Sequence, residues 1–184
     1  MSDSLVQNLY CIDREDRIAS VNGDWDRFAI ANDAPELEGA KVLGRSLWDF
    51  VADEMTRHIY QEMLMDVRNG RSISFDFRCD SPKQRRFLEM RISPASNGSV
   101  QFQTLTKNVE DRLAQGLYRI SNQFSDDLVI TCSWCNKIKT AENNWHEVED
   151  AIHILKFFDL NPAPQLSHGM CDECYVRMTA KLKS

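Results

Sequence analysis

The sequence predicts an α+β chain in two parts, and three observations carry that reading. Residues 1–106 alternate short runs of period-two hydrophobicity with one long stretch whose apolar residues recur at helical spacing. Residues 129–184 hold two Cys-x-x-Cys pairs, Cys132-Ser133-Trp134-Cys135 and Cys171-Asp172-Glu173-Cys174, separated by 35 residues. Between these parts, residues 107–128 are polar with a thin apolar stripe.

Leu9-Tyr10-Cys11-Ile12 is a β-prone run, Asp13-Arg14-Glu15-Asp16 turns the chain, and Arg17-Ile18-Ala19-Ser20-Val21 returns as a second strand. Asn22 is placed to cap a helix through Trp25, Phe28, Ala29 and Ile30. Residues 32–42, with Pro35 and Gly39, read as loop. Ser46 then caps a short helical turn bearing Leu47, Trp48 and Phe50. Residues 53–68 form the longest helix of this part. Met55, Ile59, Tyr60, Met63, Leu64 and Val67 share one face, His58 lies on the far side beside Glu62 and Met65, and Asn69-Gly70 ends the helix. Three strands follow. Ile73, Phe75 and Phe77 alternate with polar residues, and Asp80-Ser81-Pro82 turns the chain. Leu88, Met90 and Ile92 alternate again, and after Asn97-Gly98 a last strand carries Val100, Phe102 and Thr104.

Residues 107–128 are expected as a helical linker, because Val109, Leu113, Leu117, Ile120 and Phe124 recur at spacings of four and three. Gly116 weakens that helix. Its stripe can pack on its own domain or pair with a second copy. Leu128-Val129-Ile130-Thr131 leads as a strand into the first cysteine pair, and Asn136-Lys137-Ile138-Lys139 follows it. Asn143-Asn144 can cap a helix with Trp145, Val148, Ala151, Ile152, Leu155 and Phe158 on one side and His146 and His153 on the other. Those histidines are spaced i, i+7, not the i, i+4 that places two ligands on one face. Asn161-Pro162-Ala163-Pro164 breaks the chain, and the run from Tyr175 to Leu182 is helix.

Two strands, small helices, one longer helix and three consecutive antiparallel strands: in this order residues 8–106 resemble a PAS domain. The likeness rests on Ile12-Asp13 to Val21-Asn22, on Leu43-Gly44-Arg45-Ser46-Leu47-Trp48-Asp49 before the long helix, and on the closing strand trio. It implies a five-stranded antiparallel sheet with helices on one face, and a role in sensing or protein–protein contact. PAS domains hold haem, flavin or a small metabolite between sheet and helices, or nothing. A pocket here would be lined by Trp25, Phe28, Trp48, Phe75, Phe77, Met90, Phe102 and Thr104. The bulk of those side chains favours a packed core with at most a small cavity. Haem is not expected, since an axial ligand should point inwards and His58 does not. Flavin is not expected either, because the reactive Asn-Cys-Arg motif of flavin light sensors is missing. Cys11 and Cys79 read as small apolar fillers.

Four thiolates in two matched pairs suit the tetrahedral all-sulfur shell of a structural zinc ion. The spacer of two residues lets both sulfurs of a pair turn to one ion. A knuckle first and a pair on the opening turn of a helix last is the layout of a treble-clef zinc finger. Cys132, Cys135, Cys171 and Cys174 are therefore the expected ligands of one zinc. Redox-active thiols, buried packing cysteines and an iron–sulfur cluster are the competing chemistries. His168, three residues before Cys171, is a rival ligand or a donor to a thiolate. Lys137, Lys139 and Arg177 are close enough in sequence to offset the negative charge of four sulfurs. Only 56 residues make up this module, which is small for an unaided core. Metal binding there becomes folding free energy.

Composition narrows the function classes. The net charge is −6, and residues 129–184 carry six basic against seven acidic side chains, which argues against a nucleic-acid-binding finger. No apolar run approaches the length of a membrane span, and the first residues do not read as a signal peptide. A cytoplasmic location is expected. A closed four-sulfur shell leaves no position for a water nucleophile, and neither a Ser/His/Asp set nor a Gly-rich phosphate cradle is present, so an enzyme is not expected. The reading is a signalling or adaptor protein. Its PAS-like domain senses a small molecule or dimerises, and its zinc module docks a protein partner. The alternatives are a redox- or zinc-responsive switch acting through the four cysteines, and a transcriptional regulator using the zinc module.

Overall fold

The computed structural model describes residues 7–31, 34–81, 83–112, 124–140, 144–156 and 163–183. They fall into two compact units, residues 1–77 with 87–108, and residues 78–86 with 109–184.

In the first unit, β1 (Gln7–Ile12) and β2 (Ile18–Val21) pair antiparallel. Asp13 closes their turn, its carboxylate accepting the N–H groups of Glu15 and Arg17 at 3.0 and 2.8 Å. Then come α1 (Trp25–Ala31), a 3-10 turn at Pro35–Leu37, α2 (Gly39–Val42) and a second 3-10 turn at Leu47–Asp49. The Ser46 hydroxyl accepts from the N–H of Trp48 at 3.3 Å, the cap that the sequence predicts. The long helix is α3 (Glu54–Arg68), opened by Asp53, whose carboxylate accepts the Thr56 N–H at 2.7 Å. It buries Thr56, Ile59, Met63, Leu64 and Val67.

Strands β3 (Ile73–Arg78), β4 (Gln84–Pro94) and β5 (Val100–Asp111) complete a five-stranded antiparallel sheet in the order β2-β1-β5-β4-β3. Between β4 and β5, Asn97 and Gly98 both take positive φ, 59° and 74°, the backbone that a tight turn of this kind needs. Alternation holds as expected: Ile73, Phe75, Leu88, Met90, Ile92, Val100 and Phe102 are buried.

The second unit adds β6 (Phe124–Cys132), β7 (Ile138–Lys139), β8 (Trp145–His146), α4 (Val148–Ile154), β9 (Ala163–Gly169) and α5 (Asp172–Lys183). Its sheet runs β8-β7-β6-β9, with β6 antiparallel to β7 and parallel to β9. Val129, Ile138, Val148, Ala151 and Ile152 form its apolar core, with Leu155 packed against them.

Several expectations are corrected. The Asn22 N–H continues the hairpin ladder to the Leu9 carbonyl at 2.8 Å, its carbonyl accepts the Trp25 N–H at 3.1 Å, and α1 begins only at Trp25. The stretch read as loop over 32–42 contains two short helical turns. Met55 is exposed, and Thr56 takes the inward place in the first turn of α3. The helical linker fails at both ends, since 107–111 extends β5 and 124–128 opens β6. Pairing supplies the reason. The Arg112 N–H reaches the Lys83 carbonyl at 2.9 Å and Gln84 reaches Asp111, so non-local bonds override a weak local helical preference. Leu113, Leu117 and Ile120 lie outside the described residues, as do Asn143 and Phe158. Trp145 and His146 form a strand, and α4 starts at Val148. The proline-bearing segment from Ala163 is itself a strand at the sheet edge, where a missing N–H leaves no neighbour unsatisfied.

Candidate metal centre

Parallel pairing of β6 with β9 brings the two cysteine pairs together. The register sets Cys132 opposite Gly169, so the loop leaving β6 and the helix following β9 start side by side. The Ser133 N–H bonds the Gly169 carbonyl at 2.9 Å. A Cβ at position 169 would come within 3.0 Å of Ile130 Cγ2, so glycine lets the two strands approach. The first pair forms a tight knuckle: Cys132 N–H to Lys137 carbonyl at 2.8 Å, and Asn136 N–H to Cys132 carbonyl at 3.0 Å. Asn136 sits at φ 58°, a conformation that asparagine tolerates better than most residues. Cys171 precedes α5 and Cys174 lies in its first turn.

The four sulfur atoms all lie within 4.8 Å of one another, and Cys135 Sγ is 3.7 Å from Cys171 Sγ. An ion with four tetrahedral Zn–S bonds of about 2.3 Å holds its sulfurs about 3.8 Å apart. The donor set and its spacing therefore fit such an ion with little movement. Cys132, Cys171 and Cys174 are buried and Cys135 is half-buried. Among the described residues this is the one group of three or more candidate ligands that converges, and it contains no histidine or carboxylate.

Electrostatics explain what the cluster lacks by itself. Side-chain hydrogen bonds from Cys135 and Cys174 hold the Cys132 thiol far below its ordinary value, helped by the N–H groups of Cys171 and Cys135. Donating to Cys132 pushes Cys135 up to about 12 and raises Cys174 as well. One thiolate thus suppresses its neighbours. A cation placed among the sulfurs would favour their ionised form.

Of the four residues expected around the ligands, two touch sulfur. Arg177 donates to Cys174 Sγ at 3.5 Å. Lys137 contributes its backbone N–H to Cys135, while its ammonium pairs with Glu173 at 3.3 Å and is held above its ordinary value by that bond. Lys139 lies on β7 opposite Trp145. His168 is exposed on β9, at the register position of Thr131, and is not part of the sulfur cluster.

In the first unit, the expected pocket residues separate into two groups. Phe75 and Phe77 lie edge to face, Met90 Sδ accepts from the Thr104 hydroxyl at 3.7 Å, and Phe102 is fully buried. Trp25 reaches them through Tyr10, whose ring stands against Trp25 and stacks on Phe102 at 4.5 Å. Phe28 is half-buried on α1. Trp48 turns elsewhere and donates its indole N–H to Asp16 at 3.0 Å. Tyr10 and Tyr60 were missed as members of this aromatic chain. Burial raises both phenols, Tyr60 to about 12, and Tyr60 adds to the rise at Tyr10.

A family model described as the PAS fold matches residues 2–106. The chain belongs to the PAS-fold family. The match spans the sheet and helices of the PAS domain and stops before the cysteine module. No curated protein matches the chain as a relative. Within the PAS domain His58 is exposed on α3, on the side that its helical position dictates. Among the described residues, no helix is long and apolar enough to cross a membrane.

Sequence reasoning also missed a buried ionic cluster in the second unit. Arg78 pairs with Asp80 and with Glu147 at 2.7 Å, and Arg85 with Glu149 at 2.7 Å. Arg112 lies 3.4 Å from both Asp80 and Glu149. The Arg78, Asp80 and Arg112 side chains are 9%, 0% and 7% exposed. Polar residues near a turn give no sequence signal of burial, and two of these pairs, Arg78–Glu147 and Arg85–Glu149, join residues more than 60 positions apart.

Proposed function

We propose that the chain is a cytoplasmic signalling adaptor in which a PAS domain is coupled to a protein-docking module built on structural zinc. The PAS fold supports the sensing half of that reading. The converging sulfurs support the other half, and they are the single observation on which it rests. Zinc is favoured because four thiolates with no open position suit a d¹⁰ ion that demands only a tetrahedron. When bound, the ion supplies a cross-link between the β6 knuckle and α5, not a reaction centre. The knuckle-then-helix arrangement is that of a treble clef. Catalysis is not assigned to this protein.

Within that reading Cys132, Cys135, Cys171 and Cys174 hold the ion. Arg177 and the Lys137 N–H temper the charge of the thiolates, and the PAS domain receives a small molecule or a second copy of the chain. The output leaves by contact with a protein partner. Elemental analysis of the purified, reduced chain tests this. One zinc per chain, lost when Cys174→Ser removes a ligand, is the expected result. A chain that stays metal-free when refolded with zinc would end the proposal.

A second reading has one observation in its favour. Cys135 is the accessible member of the four and lies 3.7 Å from Cys171. Peroxide can take two electrons from this pair of thiolates and, with two protons from solvent, form a disulfide and two waters, expelling the ion. Zinc release that tracks peroxide dose and reverses with a thiol reductant separates a switch from a purely structural site.

A further inference from the structure

We infer that occupancy of the four-sulfur site governs whether the tip of the β3–β4 hairpin, residues 78–86, is docked or released. This rests on the metal reading above and adds a regulatory role to it.

The tip belongs to the same compact unit as the cysteines. Its first residue is tied to the knuckle itself. The Arg78 N–H donates to the carbonyl of Trp134 at 2.8 Å, and Trp134 is the buried residue between Cys132 and Cys135. Two further ties end at the start of α4, and others end at Asp111 and Arg112, at the close of β5. Arg78 bonds Glu147 at 2.7 Å, Arg85 bonds Glu149 at 2.7 Å, and Arg112 holds the turn through the Ser81 carbonyl at 2.8 Å.

Glu147 and Glu149 bracket the start of α4, and α4 is seated on Ile138, two residues after the end of the knuckle's turn. The Trp134 carbonyl, Glu147 and Glu149 are therefore placed by the knuckle or by the helix resting on it, while Asp111 and Arg112 hold the tip from the end of β5. The Arg78 guanidinium, 9% exposed, shares Asp80 and Glu147, and a buried guanidinium that loses one of two carboxylates is less well compensated. Once the knuckle loses the ion that draws its sulfurs together, the Trp134 carbonyl and the glutamates are no longer held in position. The tip then has less to gain from docking than from water. Arg78 is the last residue of β3, and Gln84 to Arg86 are the first of β4.

Such coupling is reciprocal. Weakening the tip must weaken metal binding by the same factor, whereas residues that merely decorate the surface would leave it unchanged. The test uses the full chain, with hydrogen exchange at residues 78–86 followed beside metal content and a competitive zinc-chelator titration. The double variant Glu147→Gln with Glu149→Gln keeps all four ligands. It is expected to retain one zinc per chain and normal protection in α5, to lose protection at 78–86, and to bind zinc about tenfold more weakly. Removing zinc from the unaltered chain should expose 78–86 as well. Unchanged tip protection in either experiment, or unchanged zinc affinity in the double variant, overturns the coupling while leaving the metal site standing. A chain that takes up no zinc overturns both.

Discussion

The two units stabilise themselves by different means. The PAS domain closes a five-stranded sheet over α3 with aliphatic side chains and a run of aromatic contacts from Trp25 through Tyr10 and Phe102. The second unit has a short apolar core around Ile138 and Ala151, and adds four sulfurs and a set of buried ion pairs. Area burial is non-directional and tolerant, whereas a metal shell and buried charges are all-or-none. On the proposed metal reading, the second unit should depend on an ion for its fold and the PAS domain should not.

The sharpest way to break that contrast is Cys171→Ser. Structural zinc contributes on the order of 10–16 kcal/mol to small metal-folded domains. Loss of a ligand should abolish hydrogen-exchange protection in β6, β9 and α5 and leave the protection of α3 and β5 near Phe102 intact. Equal loss in both units would mean that they fold as one. Phe102→Ala is the converse experiment. Emptying a fully buried aromatic site costs about 3–5 kcal/mol, which should lower the thermal midpoint of the PAS domain without changing zinc content.

Asp80→Ala comes next. It strips Arg78 and Arg112 of a carboxylate that is itself 0% exposed, and removing one partner of a buried pair costs about 3 kcal/mol or more. Denaturant unfolding followed in the second unit reports it, and a loss below about 1 kcal/mol would show the cluster to be solvated.

The smallest effect concerns pH. Burial works to raise the Glu149 carboxyl, but its own N–H, Arg85 and Arg112 outweigh burial and hold it below the usual carboxylate range. A depressed carboxylate lends stability that is present above its unfolded pKa and lost as pH falls through the folded one. The second unit should therefore weaken as pH falls into and below the usual carboxylate range, and Glu149→Gln should flatten that slope.

What the sequence made legible follows the same division. Period-two and helical repeats mark features enforced by a large apolar face, which is why the cores of β3 to β5 and of α3 were readable, though not Thr56 in place of Met55 or the far end of β5. The cysteine pairs were readable because metal ligation demands a fixed spacing. Elements held by distant partners were not. Trp145 reads as the start of a helix until β7 is there to pair with it. Pro164 reads as a breaker until β6 offers a parallel edge. Val109 reads as one turn of a linker helix, although its segment continues β5. Arg78, Asp80 and Glu147 carry no pattern, because ion pairing has no periodicity along the chain.

X-ray absorption at the zinc edge of the purified, reduced protein tests the central claim most directly. The expected result is one zinc per chain with a single shell of four sulfurs at about 2.3 Å. Nitrogen or oxygen in that shell, or stoichiometric protein without zinc and with all four thiols free to react, would contradict it.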